Sequence, residues 1–305
     1  GLLDEVIIYN RALSAAEIKA HYDAAQVQPP TVNPVTSPTG SQSITLSGIK
    51  SANTSIRVNG AEIAPLDAST TWQGTYTLQS GSNTLNITAM DTKGYQSTSV
   101  MITIIYDNIP PAISGSTPSN NASLNTPVTS VIINLTDTYS TIDLPATING
   151  ATVRNALGQN ISGTWTASGN NSVVFTPSNS LSQDTYTVAI YPTDAFGNKA
   201  TGQIAFSYDT TAPPAPAINA VISPTNIGFQ VITGTKTSDT AAVIVSSSTA
   251  TIGTVTYPTS TTWSVSVSNL QQAANTITVY ARDAAGNQSG SVSTIITYDT
   301  APPAA

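Results

Sequence analysis

The side chains able to do chemistry are few in this chain. Its 305 residues include one histidine, His21, no cysteine, and 16 acidic against 9 basic residues. Hydrolysis of the Ser–His–Asp type needs His21 beside a positioned serine, and no Gly-x-Ser-x-Gly elbow is present. His21 falls on the outer side of a short helical pattern and reads as a surface residue. Two carboxylates could split a glycosidic bond, but the acids sit mostly in turns and linkers, not along strands that would line a cleft. Neither a zinc-type Cys/His spacing nor a phosphate loop occurs. The expectation is a protein that is not an enzyme, with no catalytic residues, no assigned cofactor-binding or metal residues, and no required cofactor.

Composition narrows the class further. Charged residues make up 8% of the chain, about a third of the usual globular share. The surface must then be covered largely by Ser, Thr, Asn and Gln, a composition common among secreted and cell-surface β proteins. The net charge of −7 excludes a basic surface for nucleic acid, which needs clustered Lys and Arg. No run of 18 apolar residues offers a membrane-spanning helix. Without cysteine no disulfide holds the fold, which leans toward a bacterial or archaeal source.

The elements that position these residues are repeated. "NTLNITAMDTKGYQSTSVMITIIYDNIPPA" from Asn83, "DTYTVAIYPTDAFGNKATGQIAFSYDTTAPPA" from Asp184 and "NTITVYARDAAGNQSGSVSTIITYDTAPPA" from Asn275 share one grammar. Each is an alternating strand, an Asp-x-x-Gly turn, a second alternating strand, then Tyr-Asp and a double proline. Leu85, Ile87 and Ala89 alternate with Thr84, Asn86 and Thr88, as Ile277, Val279 and Ala281 do with Thr276, Thr278 and Tyr280. Period two sends one set into a core and the other toward water. The turn aspartate can accept from backbone amides, and Gly94, Gly197 and Gly286 can take positive φ. The double prolines stop strand pairing and stiffen the joints. "STTW" occurs at Ser69–Trp72 and again at Ser260–Trp263, while the middle copy is longer. There Leu181, Asp184 and Tyr186 read as a tyrosine corner. Trp72, Trp165 and Trp263, one per copy, could stack on sugars, but one tryptophan per sandwich is more often core. Repeats of roughly 80 to 105 residues with many short strands predict β-sandwiches.

"DAAGN" and "YDTTAPPAP" are the phrases by which residues 29–299 resemble bacterial immunoglobulin-like domains, the tandem modules of large surface proteins and adhesins. The resemblance implies an all-β fold of immunoglobulin-like sandwiches. In that topology the incoming linker lies at the same end as the B–C and F–G loops. Asp107 should then approach Asp137 and Asp194, and Asp209 should approach Asp239 and Asp283. Clusters of carboxylates suit calcium, which takes six to eight oxygens, and some adhesin arrays are stiffened that way. The competing reading gives each aspartate a purely structural task as turn former or strand terminator, and Lys236 sits near the second cluster. Interdomain calcium stands as the less favoured of the two.

The opening of the chain has a different pattern. Val6 and Ile8 face one way and Ile7 and Tyr9 the other, a core strand that needs sheet neighbours. "SAAE" from Ser14 is a capping box, with Ser14 and Glu17 satisfying the first helical amides reciprocally. Ile18 and Tyr22 form an apolar stripe one turn apart, and the helix should stop before Pro29-Pro30. "DEVIIYNRALSAAEIKAHY" resembles the last strand and terminal helix of a concanavalin A-like, or laminin-G-like, jelly roll. The sugar and calcium residues of such jelly rolls lie upstream of this phrase, so none is carried over.

The expected organisation is residues 1–28 as the C-terminal strand and helix of a lectin-like jelly roll and 29–108, 109–211 and 212–300 as three immunoglobulin-like domains. Residues 301–305 would begin a following linker or domain. The fold expected is all-β, three tandem sandwiches in an elongated array. Both ends look cut, so the chain reads as a segment of a longer bacterial protein at the cell surface or beyond. Its expected function is a non-enzymatic stalk presenting a lectin-like domain, with neighbouring domains of the same chain as partners. The alternatives are an adhesin that binds a protein or glycan, and a filament subunit that self-assembles by strand addition. No nucleic acid and no membrane span are expected.

Overall fold

The structure, a computed structural model, describes residues 8–302, and for residues 23–25 the backbone alone. The predicted opening strand falls almost wholly on residues 1–7, and with them and residues 303–305 it lies outside the described residues. The chain divides into two compact units. The first is Gly1–Pro111 with two loops, Asp137–Ile142 and Thr193–Lys199; the second is Ala112–Thr136, Asp143–Pro192 and Ala200–Ala305.

Helix α1 spans Ala15–Ala25. It begins at the capping box: Glu17 N donates to Ser14 Oγ at 3.3 Å, and Ser14 N donates to Glu17 Oε2 at 2.8 Å. It ends before the paired prolines, as their missing amides require. The apolar stripe is exposed, with Ile18 and Tyr22 more than half accessible.

The first unit's sandwich is built from β1 (Ser43–Ile49), β2 (Thr54–Val58), β3 (Ala61–Asp67), β4 (Thr71–Thr77), β5 (Gly81–Asp91) and β6 (Val100–Tyr106). One sheet pairs β1 with β4; the other runs β3–β2–β5–β6. The incoming segment adds to the first, since Thr31 N and Asn33 N donate to the carbonyls of Ile49 and Ser47. Strand β5 buries Leu85, Ile87 and Ala89, exposes Thr84 and Asn86 and leaves Thr88 half-buried, the period-two pattern read above. Between the sheets lie Leu46, Ile56, Val58, Trp72, Leu85, Ile87 and Ile104. Burying side chains of this size is worth about 1.5–3 kcal/mol each.

Two further sandwiches make up the second unit. The middle one holds β7 (Ala112–Thr117), β8 (Ala122–Leu124), β9 (Val131–Thr136), the one-turn α2 (Leu144–Ile148), β10 (Thr152–Arg154), β11 (Gly163–Ser168), β12 (Ser172–Pro177), β13 (Asp184–Ile190) and β14 (Gly202–Tyr208). Its sheets run β11–β12–β9–β7 and β10–β13–β14–β8. The tyrosine corner forms as expected: Tyr186, fully buried against Phe206, donates to the Ser182 carbonyl at 2.6 Å. The last sandwich holds β15 (Ala217–Ile218), β16 (Phe229–Thr235), β17 (Ala242–Ser246), β18 (Thr251–Ile252), β19 (Thr256–Thr259), β20 (Thr262–Ser268), β21 (Ala273–Arg282) and β22 (Val292–Tyr298). Its sheets run β15–β16–β20–β18, with β19 also on β20, and β17–β21–β22.

The three tryptophans resolve by burial. Trp72 and Trp263 are core residues whose indole N–H groups donate to the carbonyls of Thr31 and Ala217. A buried indole needs such a partner. Trp165 is half-buried on the ring of Phe175. A buried cation sits in the first sandwich. Lys50 Nζ donates to the Thr54 carbonyl at 2.6 Å and to Asp67 Oδ1 at 2.8 Å, and this bond holds the Asp67 carboxyl below its ordinary range.

Candidate functional site

Each Asp-x-x-Gly turn is held by its own aspartate. Asp91 Oδ1 accepts from the amides of Lys93 and Tyr95, and Asp194 Oδ1 from those of Phe196 and Asn198. Asp283 Oδ1 accepts from Asn287 N. Gly94, Gly197 and Gly286 take φ of +85°, +85° and +94°, the conformation that excludes most side chains. The turn chemistry read from the sequence is therefore what forms.

In the first unit the turn at Asp194 meets two more aspartates. Asp107 follows β6, where Asp107 N donates to the Thr39 carbonyl and Asp107 Oδ1 accepts from Ile109 N at 3.1 Å. Asp137 follows β9 and gathers its own loop, Oδ1 accepting from the amides of Tyr139 at 2.9 Å and Ser140 at 2.8 Å. One carboxylate oxygen from each of Asp107, Asp137 and Asp194 lies within 4.8 Å of the others. Asp107 and Asp194 are each 1% exposed. The Oδ2 atoms of Asp107 and Asp137 are buried and accept no hydrogen bond. The three that the sequence placed together are thus brought together, each by one oxygen already spent on a turn.

The second triplet behaves differently. Asp209, Asp239 and Asp283 line one cleft of about 390 Å³ in the second unit, but their carboxylates do not converge. Among the described residues only the first triplet does so. Asp239 is exposed in a tight turn closed by the bond from Thr240 N to the Thr237 carbonyl. Asp283 Oδ2 is engaged by Asn287 Nδ2 at 2.9 Å, and Asp209 Oδ1 by Thr211 N. Lys236 donates to the Thr240 carbonyl and lies over the Tyr257 ring.

Sequence reasoning gave roles to the Asp and Gly of these turns and none to the Asn that follows. Asn198 Nδ2 donates to the Asp107 carbonyl and to Asp194 Oδ2, at 3.2 and 2.7 Å. Asn287 makes the same pair of bonds, to the Asp209 carbonyl and Asp283 Oδ2. The signal was present as the fifth letter of "DAFGN" and "DAAGN"; the first repeat carries Tyr95 there. His21 is exposed on α1, with Nε2 at 2.7 Å from the Tyr9 hydroxyl.

Residues 107–210 match the family model of a bacterial Ig-like domain, and residues 212–298 that of a bacterial Ig domain. No curated protein matches the chain. Solved structures that align include the FN1–FN3 domains of chicken CNTN1, at 12% identity over 90% of this chain and 100% of that one, with a TM-score of 0.41. The fibronectin(III)-like modules of Clostridium thermocellum CbhA align at 14% identity over 62% and 93%, with a TM-score of 0.36. CopC from Methylosinus trichosporium OB3b aligns at 11% identity over 32% and 93%, with a TM-score of 0.29. None of the three bears on function. No helix among the described residues is long and apolar enough to cross a membrane. With two family models matched end to end and sandwich sheets throughout, the chain carries bacterial Ig-like domains in tandem.

Proposed function

We propose that this chain is part of a non-enzymatic extracellular stalk, a spacer that carries a neighbouring lectin-like domain of the same longer protein at or beyond the bacterial surface. The observation that carries the reading is the bond from Asn287 Nδ2 to the Asp209 carbonyl. It ties the turn of the last repeat to the residue that closes the one before it. A joint fixed by a side chain to a backbone carbonyl, followed by Pro213-Pro214, favours a stiff connection over a free linker. Tandem Ig-like domains suit an extracellular structural or adhesion-type region, and the turn aspartates Asp91, Asp194 and Asp283 each hold their own turn. The division into domains at 29–108, 109–211 and 212–300 belongs to this proposal, as does a jelly roll ending near residue 28. Small-angle X-ray scattering of the chain in solution tests it. An extended particle approaching about 100 Å, the reach of three sandwiches with strands of about 3.3 Å per residue, supports a spacer; a compact one overturns it.

A second reading, an adhesin, is favoured by apolar side chains on and before β16. Ile222, Ile227, Phe229 and Val231 are each more than half exposed. Binding of the chain to a glycan array or to host cells, lost in Phe229→Ser with Val231→Ser, would favour that reading over the spacer.

A further inference from the structure

Two buried carboxylate oxygens in this chain have nothing to bind. Asp107 and Asp137 each spend Oδ1 on the amides of their own loops, and each Oδ2 is sealed from water without a donor. An ionised oxygen in that state is costly unless a donor or a cation meets it. Asp194 brings a third carboxylate into the same space, itself 1% exposed. Like charges this close repel in a site of low dielectric. What is missing is positive charge of a kind that accepts oxygen lone pairs from several directions.

We propose that Asp107, Asp137 and Asp194 bind one calcium ion. The donor set is carboxylate oxygen with no imidazole or thiolate, which selects hard cations over zinc or copper. The oxygens lie within 4.8 Å of one another, so one point lies within about 2.8 Å of all three, and closure by a few tenths of an ångström brings them to calcium–oxygen bonds of about 2.4 Å. Calcium tolerates irregular shells of six to eight oxygens, whereas magnesium demands a tight octahedron. Three loop aspartates from separate parts of the chain suit the former. The orphan Oδ2 atoms supply two ligands. Asp194 supplies the third, its carboxylate oriented by the bond from Asn198 Nδ2 to Oδ2, the kind of outer contact that fixes a ligand's direction. Water that enters with the ion, from the side of the half-buried Asp137, fills the remaining positions. The second triplet lacks this convergence, so the described residues offer one such site and one equivalent is expected. The inference is independent of the stalk reading: a chain that is not a spacer would still hold the ion, and an ion-free chain could still be a spacer.

The test uses the whole chain stripped with chelator, with calcium chloride as the probe. Titration calorimetry is expected to give one equivalent bound. The melting midpoint is expected to rise with calcium, because a ligand that binds only the folded state stabilises it by mass action. In Asp137→Asn the turn acceptor is kept while Oδ2 and the charge are lost. That variant should fold, melt no lower than the stripped wild-type chain, and bind calcium at least about tenfold more weakly. Asp239→Asn should keep the full response. The assignment is overturned if the wild-type chain shows neither heat nor a shift at about 10 mM calcium, above the weakest extracellular calcium sites. It is also overturned if Asp137→Asn responds as wild type, if Asp239→Asn loses the response, or if magnesium at the same concentration acts as strongly as calcium.

Discussion

The side-chain amide of Asn287 donates a hydrogen bond of 2.8 Å to the backbone carbonyl of Asp209, and another of 2.9 Å to Oδ2 of Asp283. One residue thus closes its own turn and grips the end of the preceding repeat. Removing it leaves the Asp209 carbonyl and the inner oxygen of Asp283 without a donor. A net hydrogen bond is worth about 1 kcal/mol and somewhat more to a charged partner. Asn287→Ala is expected to destabilise the second unit by about 1–2 kcal/mol in calorimetric or urea unfolding. Asn287→Asp should cost more than alanine, since it sets a carboxylate against Asp283. An aspartate variant as stable as wild type would refute this account of the joint.

Gly48 stands opposite Trp72 in the register of β1 and β4, and Gly234 stands opposite Trp263 in that of β16 and β20. A Cβ on Gly48 would run into the Thr31 carbonyl and come to 2.9 Å from the indole nitrogen; on Gly234 it would run into the Ala217 carbonyl and come to 2.6 Å from the ring. These carbonyls are the acceptors of the indole N–H groups. Alanine at either place must push away the acceptor strand or the ring. The expected loss is about 1–3 kcal/mol, the usual cost of overpacking a filled core. Gly290→Ala, with open space around it and no positive φ, should be nearly neutral. Equal melting shifts for Gly234→Ala and Gly290→Ala would dismiss the close approach as the cause.

The position of the tyrosine corner is filled by two different chemistries. Tyr186 faces Phe206 across β13 and β14, and Asn275 faces Ile296 across β21 and β22. Asn275 is fully buried. Its Oδ1 accepts from Gln271 N and its Nδ2 donates to the carbonyls of Gln271, Ala273 and Ile296. Asn83 does the same work in the first sandwich through Gln79 and Gly81. Asn275→Ala strands several buried backbone groups and should cost about 2–4 kcal/mol, against about 1 kcal/mol for Tyr186→Phe. Urea midpoints compare the two directly, and the reverse order would count against the equivalence.

What the sequence made legible was local or periodic. The alternation of β5 and β21, the Asp-x-x-Gly turns and the Ser14–Glu17 box depend on neighbours within a few residues, and all appear as read. The meeting of Asp107, Asp137 and Asp194 was legible only through topology, which put three loop ends together without saying whether their oxygens converge. The same rule brought Asp209, Asp239 and Asp283 to one cleft and no closer. The reason is a local backbone choice: Asp137 curls its loop around Oδ1, while Asp239 sits exposed in the Thr237–Thr240 turn. The tasks of Asn198, Asn287 and Asn275 escaped reading, because asparagine in a Ser- and Thr-rich chain looks like surface cover. Their partners lie on other segments or on backbone that pattern does not mark.

The N-terminal helix has its own dependence on pH. Glu17 accepts from Ser14 N and Ser14 Oγ and is paired with Arg11, and these contacts, the Arg11 bond foremost, lower its carboxyl from an ordinary 4.5 to about 2. The folded helix therefore favours the ionised acid. Its contribution to the cap is fully present above pH 4.5 and is lost as pH falls through about 2. A carboxyl-carbon NMR titration of Glu17 should give a midpoint near 2, with helical shifts over Ala15–Ala25 fading in the same range. Salt should move the midpoint upward, because the pair is exposed and screened. Ser14→Ala with Arg11→Gln should return it toward the ordinary value. A wild-type midpoint at 4.5, indifferent to salt, would mean that the Arg11–Glu17–Ser14 contacts do not hold in solution.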